Sequence, residues 1–197
     1  ALDTLETLSS DRIKDGRYST GISVFDNESL QGIPAGTMVG ILSDPRATGS
    51  LFNYHLVHTD RDTQYISTSR PARFIKEDIK KIGTPKGNVT IADAIGTSES
   101  TRDLMVKHSA RLKPGHNFIL ETATGYQIEA ESPSRYLKAI RSIYTNIHEN
   151  DAIGYLHFAN NNPDKFSKEE TEAIQMCDAL FNVRTFNNGD KINTELE

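Results

Sequence analysis

Eight residues, Ser43-Asp44-Pro45-Arg46-Ala47-Thr48-Gly49-Ser50, sit where a phosphate-cradling loop would be placed. An apolar run, Thr37–Leu42, precedes them, and a helix-patterned segment, Leu51–Val57, follows. An intact loop of this kind reads G-x-x-x-x-G-K-[ST]. Its glycines let backbone N–H groups curl around phosphate oxygens, and its lysine reaches the outer ones. Only Ser50 satisfies that pattern. Ser43 and Thr48 replace the two glycines, and Gly49 stands in the lysine position. Arg46 is the only cation of the octapeptide, and its planar fork does not reproduce the point charge of a lysine. The same residues also make an ordinary strand-to-helix corner, which is the better reading. Asp44-Pro45 is a good turn pair, and Thr48 or Ser50 can cap the following helix. An anion at the free N–H groups of that helix start stays open.

Glu121 ends a second apolar run, Phe118–Leu120, where a carboxylate could hold Mg²⁺ through water. The plainer expectation is a carboxylate solvated at a strand end. Asp93, Thr122 and Thr124 also sit at strand ends, and nothing in the sequence selects them for chemistry. His55 and His58 are spaced to share a helix face, but spacing shows no third ligand for a metal. No G-x-S-x-G elbow marks a nucleophilic serine. The single cysteine, Cys177, reads as a buried structural thiol and excludes an intrachain disulfide. The run Lys76–Lys81 mixes acids with bases and reads as a solvated helix face.

These residues need a frame, and the apolar patterning supplies one. Short β-type runs (37–42, 63–68, 88–94, 118–122 and 153–158) alternate with helical patterns (51–57, 72–82, 97–112, 134–149 and 167–177). That order predicts a doubly wound, mostly parallel sheet with helices on both faces, ending in an antiparallel hairpin around Asn187–Asp190. Ligands in such sheets bind beyond the carboxyl ends of the strands, so Ser43, Ser67–Arg70 and Glu121–Thr124 should share one rim. Ser167 followed by Glu170 predicts a capping box. At 197 residues, 36% hydrophobic and 25% charged, the chain suits one globular domain, 18–197, preceded by an arm, 1–17. No apolar run approaches the length of a membrane span, and the acidic start lacks signal-peptide layout, so a cytoplasmic location is expected. The net charge of −5 argues against non-specific nucleic-acid binding.

One region carries a family resemblance. Ser19-Thr20-Gly21-Ile22 with Phe25-Asp26, then Gly32-Ile33-Pro34-Ala35-Gly36, resembles the opening of KaiC-like ATPases of the RecA superfamily. The later order of strands and helices agrees, and the motif leans toward an archaeal source. The resemblance implies a RecA-like fold, side-by-side assembly into rings or filaments, and a nucleotide site at the 43–50 loop. The departures imply that the site is vestigial. The lysine and loop glycines are missing. Thr68 and Ser69 stand where one or two water-activating carboxylates belong, and Glu121 replaces the usual Walker B aspartate. Lys191-Ile192-Asn193 lacks the arginine of a K-x-R that reaches a neighbouring subunit's nucleotide.

The function expected is therefore a pseudo-ATPase without catalytic residues, metal site or required cofactor. It would work through a protein partner or through self-association, as a signalling adaptor, a regulator of an active ATPase or a structural subunit. The alternative is a sensor that binds ATP and Mg²⁺ weakly, without hydrolysis, through Arg46, Thr48, Gly49, Ser50 and Glu121. A DNA-associated paralogue is the least favoured reading, since no basic or aromatic DNA loop is evident.

Overall fold

A computed structural model describes residues 16–28, 31–44, 49–95, 97–124, 126, 132–160, 162–188 and 191–196. A seven-stranded sheet forms its centre, in the order β5-β4-β6-β7-β3-β8-β9. The strands are β3 (Met38–Ser43), β4 (Thr63–Ser67), β5 (Val89–Asp93), β6 (Asn117–Leu120), β7 (Ile153–Phe158), β8 (Ala179–Asn188) and β9 (Lys191–Leu196). Six of them run parallel, and β9 turns back antiparallel on β8. A separate two-stranded antiparallel sheet pairs β1 (Arg17–Tyr18) with β2 (Ile33–Pro34). The predicted fold class is thus observed, with one refinement. The first arm of the terminal hairpin, β8, joins the parallel sheet beside β3 through Val39↔Ala179 to Ser43↔Val183.

Two layers of helix cover the sheet. On one face lie α1 (Ser23–Glu28), α2 (Gly49–Leu56) and α3 (Ala72–Ile82). Their core includes Phe25, Tyr54, Leu56, Ile75 and Ile79 against Val39, Ile41, Tyr65, Ile119 and Tyr155 of the strands. On the other face lie α4 (Thr101–Ser109), α5 (Pro133–Glu149) and α6 (Lys168–Met176). There Met105, Tyr136, Ile140, Ile143, Ile147 and Ala173 pack on Met38, Ile66, Phe118, Leu120, Leu156 and Phe158. Period-2 alternation explains the split, because odd and even residues of β3 feed opposite cores. Each fully buried Ile, Leu or Phe contributes about 1.5–3 kcal/mol relative to exposure.

Local sequence sets the element ends. The apolar stripe that the sequence offers on α5 is Leu137, Ile140, Ile143, Tyr144 and Ile147; the three isoleucines are buried and the other two half-buried, and Ser132 caps the helix by accepting from Arg135 N. The capping box of Ser167 and Glu170 opens α6 as expected. The α4 helix is shorter than the predicted 97–112. Ser100 caps it by accepting from Asp103 N, while the Thr97 hydroxyl takes Glu99 N into a local turn instead. Gly154 lets α5 close on the sheet, since a Cβ there would lie 2.1 Å from Ile147 Cδ1.

The residues that carried the family resemblance have a structural task. The Asp26 carboxylate, 3% exposed, accepts from Ser19 Oγ at 2.6 Å and from Thr20 N and Thr20 Oγ1, both at 2.8 Å. Gly21, at φ +79, makes the turn between them. This knot starts α1, whose Phe25 stacks on Phe181 of β8 at 4.4 Å and meets Phe52 of α2 edge-on at 4.7 Å. Beneath it the Arg61 guanidinium donates to Ser19 O, Gly115 O and Asn117 Oδ1, tying the segment to the amino ends of β4 and β6. Among the described residues no helix is long and apolar enough to cross a membrane.

Candidate functional site

The carboxyl ends of β3, β4, β6 and β7 converge on two linked polar clusters, and both are buried. The first begins at Ser43, the last residue of β3. Its Oγ lies 2.5 Å from His157 Nε2 on β7. His157 Nδ1 lies 3.2 Å from Asn53 Oδ1 on α2, and Asn53 Nδ2 donates to Glu121 O at 3.3 Å. Asn53 Oδ1 can only accept, so Nδ1 carries the ring proton and Nε2 receives the Ser43 hydroxyl. Burial holds the His157 pKa down to about 4, so the ring is neutral at ordinary pH.

The arrangement has the connectivity of a nucleophile, a base and an orienting amide. Its environment argues for a latch instead. Ser43, His157 and Asn53 are 2%, 3% and 0% exposed. A base that must gain charge in that dry setting faces the same desolvation that depresses its pKa. The latch ties the end of β3 to β7, α2 and the segment after β6.

The second cluster surrounds Glu121, just beyond β6. Oε2 accepts from Ser67 Oγ at 2.8 Å and Ser69 Oγ at 3.0 Å, and Oε1 accepts from Tyr65 OH at 3.2 Å. Glu121 is only 4% exposed, so the expectation of a solvated carboxylate is corrected. Three hydroxyls supply what water would have supplied. Burial, then the Glu121 charge, pushes the Tyr65 pKa well above its usual value, which keeps the phenol a donor. Ser67 also accepts from Arg70 N at 3.1 Å, and Arg70 O lies 2.7 Å from the same hydroxyl and shares its one proton with Glu121, which closes the turn that leads into α3.

At that turn Arg70 donates to Tyr54 OH and to Asp78 Oδ2, both at 2.7 Å. Lys81 also donates to Asp78, so hydrogen bonds from Lys81 and then Arg70 hold the Asp78 carboxyl below the usual range. Thr68 is 8% exposed, and its hydroxyl is buried with no hydrogen-bond partner among the described residues.

The other sequence candidates divide as follows. Ser43, Ser67–Arg70 and Glu121 do share one rim, joined by the hydrogen bonds above. Arg46 and Thr48 lie outside the described residues. Gly49 and Ser50 open α2, which places them directly after the loop. The arm residues 1–15 are likewise outside the described set, while Lys191–Asn193 fall on β9. Asp93 caps α3, accepting from Ala72 N at 2.8 Å. Thr124 donates to Glu170 Oε2 at 3.0 Å, away from Glu121. Both ring nitrogens of His58 face backbone carbonyls, Tyr54 O at 2.7 Å and Gly83 O at 3.2 Å. Burial raises the Cys177 thiol to about 12, consistent with a structural role.

Sequence reasoning missed three members of the rim: His157, Asn53 and the Tyr65 hydroxyl. His157 was visible only as a polar break in the apolar run Ile153–Phe158.

A family model, described as a family of unknown function (DUF7125), matches residues 17–197. The chain belongs to that family. No curated protein matches it. Among solved structures it is similar to the KaiC-like protein PH0186 from the hyperthermophilic archaeon Pyrococcus horikoshii OT3. The TM-score is 0.69 over 94% of this chain and 87% of that one, at 14% sequence identity. At that identity the likeness establishes a shared fold. The KaiC-like, RecA-type architecture that the Ser19–Gly36 motif implied is therefore present in this family member, and its site has to be judged on its own residues.

Proposed function

We propose that this chain is a RecA-like domain that does not hydrolyse ATP and acts through contacts with protein partners or with further copies of itself. The observation that carries the reading is the state of Glu121. The carboxylate at the Walker B position is buried and engaged by the hydroxyls of Tyr65, Ser67 and Ser69. A metal-bound water would have to compete with those donors for the carboxylate. Two further features support the reading. Thr68 and Ser69 hold the positions of the water-activating acids, and a hydroxyl cannot act as a base at neutral pH. Gly49 replaces the lysine that would reach the outer phosphates.

Purified protein with Mg·ATP should show turnover at the buffer background, unchanged in Glu121→Gln. Robust hydrolysis that falls when Glu121 is changed would overturn the proposal. One observation favours a second reading, a nucleotide sensor. The Thr68 hydroxyl, buried and without a hydrogen-bond partner among the described residues, leaves a polar group just past the end of β4 for a water or a ligand oxygen. A thermal-shift titration separates the two, because a ligand bound only by the folded state raises its melting temperature. No shift at millimolar nucleotide and magnesium leaves the contact-only reading.

A further inference from the structure

The chain carries its charge unevenly. Residues 70–113, which form α3, β5 and α4, hold ten Lys and Arg against five Asp and Glu, a local charge of +5 in a chain whose total is −5. These residues flank the outer strand of the sheet. β5 pairs only with β4, and among the described residues no strand occupies its other side. Thr63 N donates to Asn88 O at 2.8 Å, which turns the peptide groups of residues 88, 90 and 92 toward β4. By the alternation of a parallel ladder, the N–H and C=O groups of Val89 and Ile91 point to the open edge.

The cations are placed along that edge from both faces. In α3, Ile75 and Ile79 face the sheet, and Asp78 faces α2 through Arg70 and Tyr54. Helical spacing then puts Lys76 and Lys80 on the β5 flank, where Ala72 N meets Asp93. In α4, Ser109 accepts from Asn146 of α5 at 2.9 Å, and His108 meets Gln64 of β4 at 2.7 Å. The flank away from α5 carries Lys107, and Arg111 follows in the turn just past the end of the helix. Lys107 is paired with Glu99. Lys76, Lys80 and Arg111 are exposed and enter no ion pair among the described residues. Just past the strand, Ile95 is 53% exposed.

We propose that the free edge of β5, between the basic flanks of α3 and α4, docks an acidic, extended segment of a partner protein as an eighth strand. A row of unpaired peptide groups is matched by another peptide backbone and by no other macromolecule. The flanking Lys76, Lys80 and Arg111 select acidic side chains on both faces of the incoming strand, and Ile95 gives its end an apolar contact. Cations beside an edge can also serve only to keep it unpaired, and the test below separates that role from docking. The inference rests on the contact half of the proposed function. ATP turnover would overturn the non-hydrolysing half and leave the edge untouched, whereas loss of this surface would leave the turnover result unchanged.

The experiment titrates the ¹⁵N-labelled chain with a blocked peptide of about ten residues alternating Glu and Val. Parallel titrations use a Lys-Val peptide, a Glu-Pro peptide that cannot pair, and an oligo-dT strand. The Glu-Val peptide should shift the Val89 and Ile91 amides saturably and weaken as salt rises. Binding should fall about tenfold in Lys76→Glu/Lys80→Glu, two exposed sites. Val89→Pro removes an outward N–H at the first strand position and should abolish binding with β4 pairing intact. Four results would each overturn the proposal. These are no shift at millimolar Glu-Val peptide, equal binding of the Glu-Pro peptide, preference for oligo-dT, and sedimentation showing the edge consumed by a second copy.

Discussion

Replacing His157 by Gln tests the buried latch, because it removes a titrating group while keeping a polar side chain of similar reach. The free imidazole titrates at 6.5, and burial lowers the folded value to about 4. That gap corresponds to about 3 kcal/mol. The sign follows from which state binds the proton. Above pH 6.5 the ring is neutral in both states and contributes no pH dependence. Between 6.5 and 4 the unfolded chain takes up a proton that the folded chain refuses. Stability is therefore lost as pH falls through that window, and the loss is complete near pH 4. Because His157 is 3% exposed and its ring nitrogens face Ser43 and Asn53, solvent screening does not soften the effect.

At pH 7.5 His157→Gln should be less stable than the parent by about 1–2 kcal/mol, since the amide cannot meet Ser43 and Asn53 with the same geometry. As pH falls to about 4 the difference should swing by about 3 kcal/mol, so the deficit closes and the variant ends about 1–2 kcal/mol the more stable, the parent alone paying for protonation. Urea midpoints at half-unit pH intervals measure this, provided the slope m stays constant. His55, His108 and His116 are also lowered by burial, each as its first cause, so they too cost stability below pH 6.5. They remain in both proteins and cancel in the difference. Parallel curves for parent and variant from pH 6.5 to 4 would refute the reasoning, as would an NMR titration of His157 near its ordinary value.

Two packing predictions rest on independent observations. Asp26→Ala strands the Ser19 and Thr20 donors in a buried site and should cost about 3 kcal/mol in denaturant unfolding, with Asp26→Asn recovering part of it. Gly154→Ala drives a methyl into Ile147 and should destabilise by about 1–3 kcal/mol, partly relieved by Ile147→Val in a double-mutant cycle.

Much of the fold was legible in the sequence because periodicity reports burial directly. The α3 span 72–82 and the β7 span 153–158 coincide with the predicted ones, since Gly83 and the polar residues around β7 bound them clearly. The α4 start was misplaced because Thr97, Ser98 and Ser100 are all competent caps, and only the geometry of Ser100 decides between them. The pairing of β8 with β3 was not legible either. A hairpin signal fixes which strands are adjacent in sequence, not which strand the first arm joins.

The site was half legible for a related reason. Ser43, Ser67, Ser69 and Glu121 each end or follow a strand, so their common rim followed from the fold class alone. Their burial did not. Solvated and buried carboxylates look alike in sequence until the neighbouring strand's register brings Tyr65, Ser67 and Ser69 onto one glutamate. Missing residues of a phosphate loop argue only from loss. The hydroxyls around Glu121 add a positive argument, because they give the carboxylate a stable use that needs no metal or nucleotide. Such a cluster holds the ends of β4 and β6 together at the rim. On the proposed reading, the same hydroxyls that satisfy Glu121 would compete with a metal-bound water for the carboxylate, which favours a rim that is held over one that turns over.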